Sequence, residues 1–384
     1  MVPTISHAYS EIYPRQYIAY RAPARNDSGG PAITIDGNLD KPFWNEVPWT
    51  EDFVDIATDM TPKFRTRAKL RWDEEFLYVG ECWFDSDAGT HEETDVWSTL
   101  TEHNSVIFHD NDFEVFVDAD GTNHNYKEFE INALGTTWSL LLNKPYADSG
   151  GEDSKRVKPD GYDMEPSLQS AVKVYPENAI NRPDIPNTHW TTEIAMPLSK
   201  LIERNPTAKH PDHGVFWRIN FSRVQWGVKV DDEGKYEKSP CCQSCAKPGD
   251  AAEDNWVWSK QGEVAMHLPE RWGILQFSSK SPGEDDAKYY GEWPSRCAAI
   301  SLYYALKAYY EAEGRFTEDV EALKQYSNNV YPIPGEADIS IDLTDNGYNA
   351  RATLSTYTAT INQERYLVVS SVLDANVSGV AADL

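Results

Sequence analysis

Positive charge is scarce. Lys and Arg number 35 against 62 Asp and Glu, a formal net charge of −27 at pH 7. A field of that sign repels phosphate backbones and anionic lipid surfaces, so nucleic acid and membrane drop away as expected partners. Long apolar runs are missing as well. No window approaches the roughly 18 consecutive apolar residues of a spanning helix. Met1 to Ser28 lacks the positively charged start and apolar run of an export signal, so no compartment is read from it. Cysteines are five, an odd count, with Cys82 and Cys297 isolated and Cys241, Cys242 and Cys245 crowded into one polar loop. No complete disulfide framework follows. A metal held by the loop cysteines lacks an obvious fourth ligand, and a surface loop with reactive thiols is the plainer reading. No nucleophilic triad, phosphate loop, zinc spacing or fixed-period repeat is evident, and His103, His109, His124, His189 and His267 are scattered.

Aromatic residues are plentiful, 12% of the chain with 21 Tyr and 13 Trp, and hydrophobic residues reach 40%, which is enough for a sizeable core and excludes global disorder. Residues 1–32 read as an irregular N-terminal arm, because Pro3, Pro14, Pro23 and Pro31 and the run Asn26-Asp27-Ser28-Gly29-Gly30 break any period. From Ile33 to about residue 278, short runs of β-branched and aromatic residues alternate with Asp, Gly, Asn and Pro clusters. That pattern predicts a mainly β protein, an antiparallel β-sandwich of two packed sheets. Residues 279–292 have the composition of a linker. Residues 293–384 predict a small C-terminal α+β unit, a helix pair on a three-stranded sheet. Its first helix runs from Pro294 to about Glu313, with Gly314 just past its end; Thr317, Glu318 and Asp319 open the second. Such a unit is marginal alone and should lean on the sandwich or on another copy of the chain.

Alternate side chains of a strand point to opposite faces. In Asp112–Asp118, Phe113, Val115 and Val117 make the apolar side and leave Asp112 and Glu114 on the other; Glu128, Glu130 and Asn132 are placed likewise in the next strand. Glu193, and Arg218 with Asn220, occupy the same kind of position on two further strands. A solvated sheet face explains this pattern as well as a function does. The functional reading is a concave polar surface, since carboxylate, amide and guanidinium groups can each meet two neighbouring hydroxyls of a sugar. The loop Asp118-Ala119-Asp120-Gly121-Thr122-Asn123 is rich in oxygen ligands, and calcium at Asp118, Asp120 and Asn123 stands beside a plain turn as the two readings there.

Several runs together resemble one family: Ile35-Asp36-Gly37-Asn38-Leu39-Asp40 with Phe43-Trp44, Leu70-Arg71-Trp72-Asp73, and Asp110-Asn111-Asp112-Phe113-Glu114-Val115-Phe116-Val117-Asp118. Trp190-Thr191-Thr192-Glu193, Arg218-Ile219-Asn220-Phe221 and Pro269-Glu270-Arg271-Trp272-Gly273 continue it to Phe277. This looks like a family 9 carbohydrate-binding module. The resemblance implies a β-sandwich of the jelly-roll kind, calcium as a structural ion, a carbohydrate partner bound without catalysis, and an exported protein. The family holds its sugar between two Trp rings, one just before the Asp-x-x-Glu strand and one shortly before the final strand. The matching positions here are Phe108 and Met266, so one aromatic face is smaller and the other lost. Trp258 is one of five tryptophans, with Trp97, Trp138, Trp226 and Trp256, that could substitute.

Two other functions stay open. Glu128 and Glu130 lie two apart on one strand, roughly 6–7 Å, near the spacing of a glycoside hydrolase pair, although such pairs usually flank the bond from different strands. An assembly protein, associating through the Tyr-rich C-terminal unit, is the other.

Overall fold

The computed structural model describes residues 8–23, 30–84, 96–239 and 253–372. Cys241, Cys242 and Cys245 lie outside the described residues.

The runs of β-branched and aromatic residues form strands, in chain order β1 (Gln16–Arg21), β2 (Val54–Asp55), β3 (Thr66–Trp72), β4 (Phe76–Phe84), β5 (Asp112–Asp118), β6 (Tyr126–Asn132), β7 (Thr137–Leu142) and β8 (Glu152–Asp153). There follow β9 (Gln169–Tyr175), β10 (His189–Pro197), β11 (Phe216–Gln225), the hairpin β12 (Val228–Val230) and β13 (Tyr236–Lys238), then β14 (Asp254–Val257) and β15 (Gly273–Ser278). Thirteen strands make one sheet, in the order β8-β7-β6-β5-β11-β15-β1-β3-β4-β10-β9, with β14 joined to β11 and to β2. The sheet curls on itself. Phe113, Val115 and Val117 of β5 and Ile219 and Phe221 of β11 meet Leu70, Val79 and Ile194 from the other half in a single apolar cluster.

Two expectations are corrected here. The sheet is mixed and continuous rather than an antiparallel pair, because β1 runs parallel to both β15 and β3 and bridges the halves. The arm is not irregular throughout, since it supplies that bridging strand. The signal was short: Gln16–Arg21 sits between Pro14 and Pro23, and its partners lie far along the chain. Once paired, Ala19 is fully buried and the Tyr17 hydroxyl donates to the Pro48 carbonyl at 2.7 Å.

Residues 279–292 also depart from a free linker. The Gln276 amide donates to the Asp286 carbonyl at 3.1 Å, and Tyr290 packs into the C-terminal core. The long helix Trp293–Glu313 carries Pro294 in its first turn, where a missing N–H costs nothing, and ends at Gly314 in the left-handed region, whose N–H reaches the Tyr310 carbonyl. A short helix, Val320–Leu323, is capped by the Asp319 side chain. The sheet beneath has four strands rather than three: β16 (Asp338–Thr344), β17 (Gly347–Leu354), β18 (Tyr357–Asn362) and β19 (Leu367–Ser371). The missed β18, Tyr-Thr-Ala-Thr-Ile-Asn, does alternate and buries Ala359 and Ile361; it is short, and its apolar positions include only one β-branched residue, Ile361. Among the described residues no helix is long and apolar enough to cross a membrane.

Candidate functional site

The outward faces of β5, β6 and β7 are not solvated. Phe116, Tyr126, Trp138, Leu140 and Trp272 build a second apolar cluster there, and Phe108 and Met266 pack on it. Between these groups lies a cavity of about 180 Å³, whose lining includes Phe108, Glu114, Glu128, Glu130, Trp138, Tyr146, Met266 and His267, together with Glu253 and Asn255. The two positions that the resemblance assigns to sugar-stacking rings, Phe108 and Met266, thus border one cavity.

Strand register sets the acidic floor. Glu114 of β5 stands directly opposite Glu130 of β6, and Phe116 opposite Glu128. Like charges facing across a ladder repel. One oxygen each of Asp112, Glu114 and Glu130 lie within 4.8 Å of one another. Exposure of these residues is 0% for Asp112, 6% for Glu114, 5% for Glu128 and 1% for Glu130, so water does little to screen them. Burial pushes the Glu114 carboxyl up to about 7. Burial, then the neighbouring carboxylates, pushes Asp112, Glu128 and Glu130 well above their usual range.

The walls are held from behind. The Phe108 N–H donates to Glu130 Oε2 at 3.0 Å, and the Trp226 indole donates to the Phe108 carbonyl at 2.7 Å. The Trp272 indole donates to the Met266 carbonyl at 2.8 Å. His267 packs edge-on to Tyr146, ring centroids 4.6 Å apart, and its Nδ1 lies 3.0 Å from the Tyr126 hydroxyl. Burial pushes His267 down to about 4, so it is neutral near pH 7 and does not neutralise Glu128, 4.0 Å away.

Of the site residues expected from sequence, the cavity gathers Phe108, Glu114, Glu128 and Glu130, with Asp112 beside them on its floor. It does not gather the other five. Asn132 closes the 132–136 turn, its Oδ1 accepting the Leu134 and Thr136 N–H groups. Glu193 lies on the other half of the sheet, where Lys41, the Trp44 indole and the Asp36 and Gly37 N–H groups occupy its oxygens. Arg218 is covered by the long helix, stacked on Trp293 at 5.2 Å and donating to the Glu270 carbonyl. Asn220 bonds both ways to the Ser259 backbone. Trp258 is fully buried in the main core, donating to Glu51. Alternation correctly put Asn132, Glu193, Arg218 and Asn220 on the outward faces, while Trp258 belongs to the core; what covers each face is a long-range matter.

The 118–125 loop uses its carboxylates internally. Asp118 accepts the Gly121 and Asn123 N–H groups at 3.0 and 2.8 Å, and Asp120 accepts from Thr122, Asn205 and Thr207. The Asn123 amide donates to the Arg365 carbonyl, and the Leu367 N–H to the Thr122 carbonyl, so the loop seats the C-terminal sheet. Tyr146 and His267 were not anticipated in the cleft, whereas Trp138, one of the five tryptophans named as possible substitutes, lines it. Tyr146 and His267 come from connections with no periodic signal, although His267 adjoins the position singled out as Met266.

No family model matches the chain, and no curated protein matches its sequence. Solved structures similar to it include a family 9 carbohydrate-binding module from Caldicellulosiruptor kristjanssonii in complex with cellotriose, 15% identical, TM-score 0.37, covering 71% of this chain and 99% of that one. The module's complex with glucose has the same identity and TM-score, covering 71% and 100%. A protein proposed to bind carbohydrate, from Bacteroides uniformis, is 13% identical, TM-score 0.43, covering 69% and 99%.

Proposed function

We propose that this chain binds carbohydrate without altering it, in the cleft bordered by Phe108 and Met266. The observation that carries the reading is the pairing of apolar walls with an acidic floor in one cavity of about 180 Å³. Rings of Phe, Tyr and Trp offer flat surfaces to sugar C–H faces, and carboxylates accept from hydroxyls through charge-assisted bonds. The cavity is smaller than the roughly 300–1,000 Å³ of pockets that enclose a drug-sized ligand, which favours a glycan end over a chain laid through it. Hydrolysis is not favoured: Glu114, Glu128 and Glu130 project from one face of adjacent strands, whereas an acid and its partner flank the scissile bond. A cation belongs to the same proposal, and the carboxylates free to hold one are in the cleft floor rather than in the 118–125 loop.

A glycan array with the full chain, including glucose and cellotriose, followed by calorimetry on the best ligand, tests this. Phe108→Ala should weaken that ligand about tenfold, the loss of roughly 1.4 kcal/mol of ring contact, with thermal unfolding showing the variant folded. A folded parent that binds nothing on the array, or a variant that binds as the parent does, overturns it.

A further inference from the structure

Four carboxylic acids buried on one small patch need positive charge or shared protons to coexist. Among the described residues no Lys or Arg side chain bonds to Asp112, Glu114, Glu128 or Glu130, and His267 is too far from Glu128 for a hydrogen bond. Asp112 has no exposed surface, and no N–H or hydroxyl reaches either of its carboxylate oxygens, which meet only the neighbouring Glu130 carboxyl. Glu128 Oε2, on the cavity wall, is buried and equally without a donor. Buried polar atoms in folded proteins are nearly always satisfied, and an orphan of this kind asks for a ligand.

We infer that the cleft floor holds one divalent cation of calcium size through Asp112, Glu114 and Glu130, with Glu128 turned toward the same space. Three oxygens all within 4.8 Å of one another share a point no more than about 2.8 Å from each. Small side-chain adjustments bring that to the roughly 2.3–2.6 Å of calcium, whereas magnesium demands about 2.0–2.1 Å in strict octahedral geometry. Calcium takes six to eight oxygens, so three or four carboxylates leave positions open. These face the cavity, where a sugar's neighbouring hydroxyls can complete the shell. The cation would then neutralise the opposed Glu114–Glu130 pair and join the floor to the ligand. This role toward sugar rests on the function proposed above; the binding of the cation does not.

Calorimetric titration of calcium into chelator-treated full-length protein, with no sugar present, tests the site. One calcium is expected. Asp112→Asn and Glu130→Gln keep side-chain shape and remove charge, and each should weaken binding about tenfold or more. Asp120→Asn, in the 118–125 loop, should leave it unchanged. Absence of calcium binding to the folded parent at millimolar concentration, or unchanged binding by both floor variants, overturns the inference and leaves shared protons as the stabilising arrangement. Where a floor variant fails to fold, terbium(III) emission excited through Trp138 reads the parent: sensitised emission displaced by calcium supports the site, and its absence overturns it. Glycan binding that persists with no cation bound overturns the cation's role toward sugar and leaves the cation site standing, whereas cation binding without any glycan ligand defeats the function proposed above alone.

Discussion

Glu193 has no exposed surface, yet its two oxygens accept bonds from the Lys41 ammonium, the Trp44 indole and two backbone N–H groups. It ties the turn at Gly37 and the helical turn Pro42–Asn45 to β10. Gly37 is required in that turn, because its φ is +79° and a Cβ would lie 2.8 Å from the Val172 backbone. Glu193→Ala leaves the buried Trp44 indole and the Gly37 N–H unpaired, while Lys41 keeps Asp36 and the Thr34 carbonyl, and should destabilise the fold by roughly 1–3 kcal/mol in urea unfolding. Glycan and calcium binding by the folded fraction should not change, since Glu193 lies on the other half of the sheet. The contrast with Asp112, equally buried and without a donor, separates a carboxylate that holds the fold from one whose oxygens no backbone or side-chain donor occupies.

At the scale of elements, β1 joins the two halves of the large sheet. It gives five backbone register pairs to β15 and two to β3. A chain beginning at Pro23 removes that strand, uncovers the ladder edges of both neighbours and strips Tyr17 and Ala19 from the core. Such a protein should lose its cooperative unfolding transition by near-ultraviolet circular dichroism. A sharp parental melting curve would show that the arm is dispensable. Parallel pairing between strands far apart in the chain cannot be read locally, because neither strand carries a mark of its distant partner. The antiparallel neighbours β5, β6 and β7 were legible for the opposite reason: short loops join them, and their alternation is regular.

Across the whole molecule, the C-terminal unit is fastened to the sheet by buried charge. Arg365, 2% exposed, lies 2.8 Å from Asp148 and 3.2 Å from Glu270, and the Tyr304 hydroxyl also reaches Glu270. The Tyr-rich helix is therefore covered on both sides within one chain. Arg365→Ala would leave Glu270 with the Tyr304 hydroxyl alone and Asp148 with Lys307 and the Tyr303 hydroxyl, at a cost of roughly 1–3 kcal/mol, and should split calorimetric unfolding into two transitions as the unit detaches. A single, unshifted transition would contradict the fastening. The connecting segment adds an acid response. Bonds from the Lys280 ammonium and the Ser278 hydroxyl hold the Asp285 carboxyl down at about 2, from 3.8. A carboxyl lowered in the fold stabilises above its unfolded value, and that contribution is lost as pH falls from about 4 toward 2. Asp285→Asn should therefore lower Tm near neutrality and flatten its fall over that window, as scanning calorimetry at stepped pH would show.

Sequence by itself determined the β-rich class, the position of the long helix and its Gly314 stop, and the strand faces on which Asp112, Glu114, Glu128 and Glu130 stand. Those follow from periodicity and turn chemistry, which act over a few residues. Only the tertiary structure decided which outward-facing polar residues share a cleft. Arg218 and Glu193 have the same local pattern as Glu130, yet one lies beneath a helix nearly eighty residues away and the other beneath a turn more than a hundred and fifty residues before it. Burial and charge pairing between distant segments, which no local period encodes, made the first two into anchors and, among the described residues, left the floor of the cleft without a positive partner.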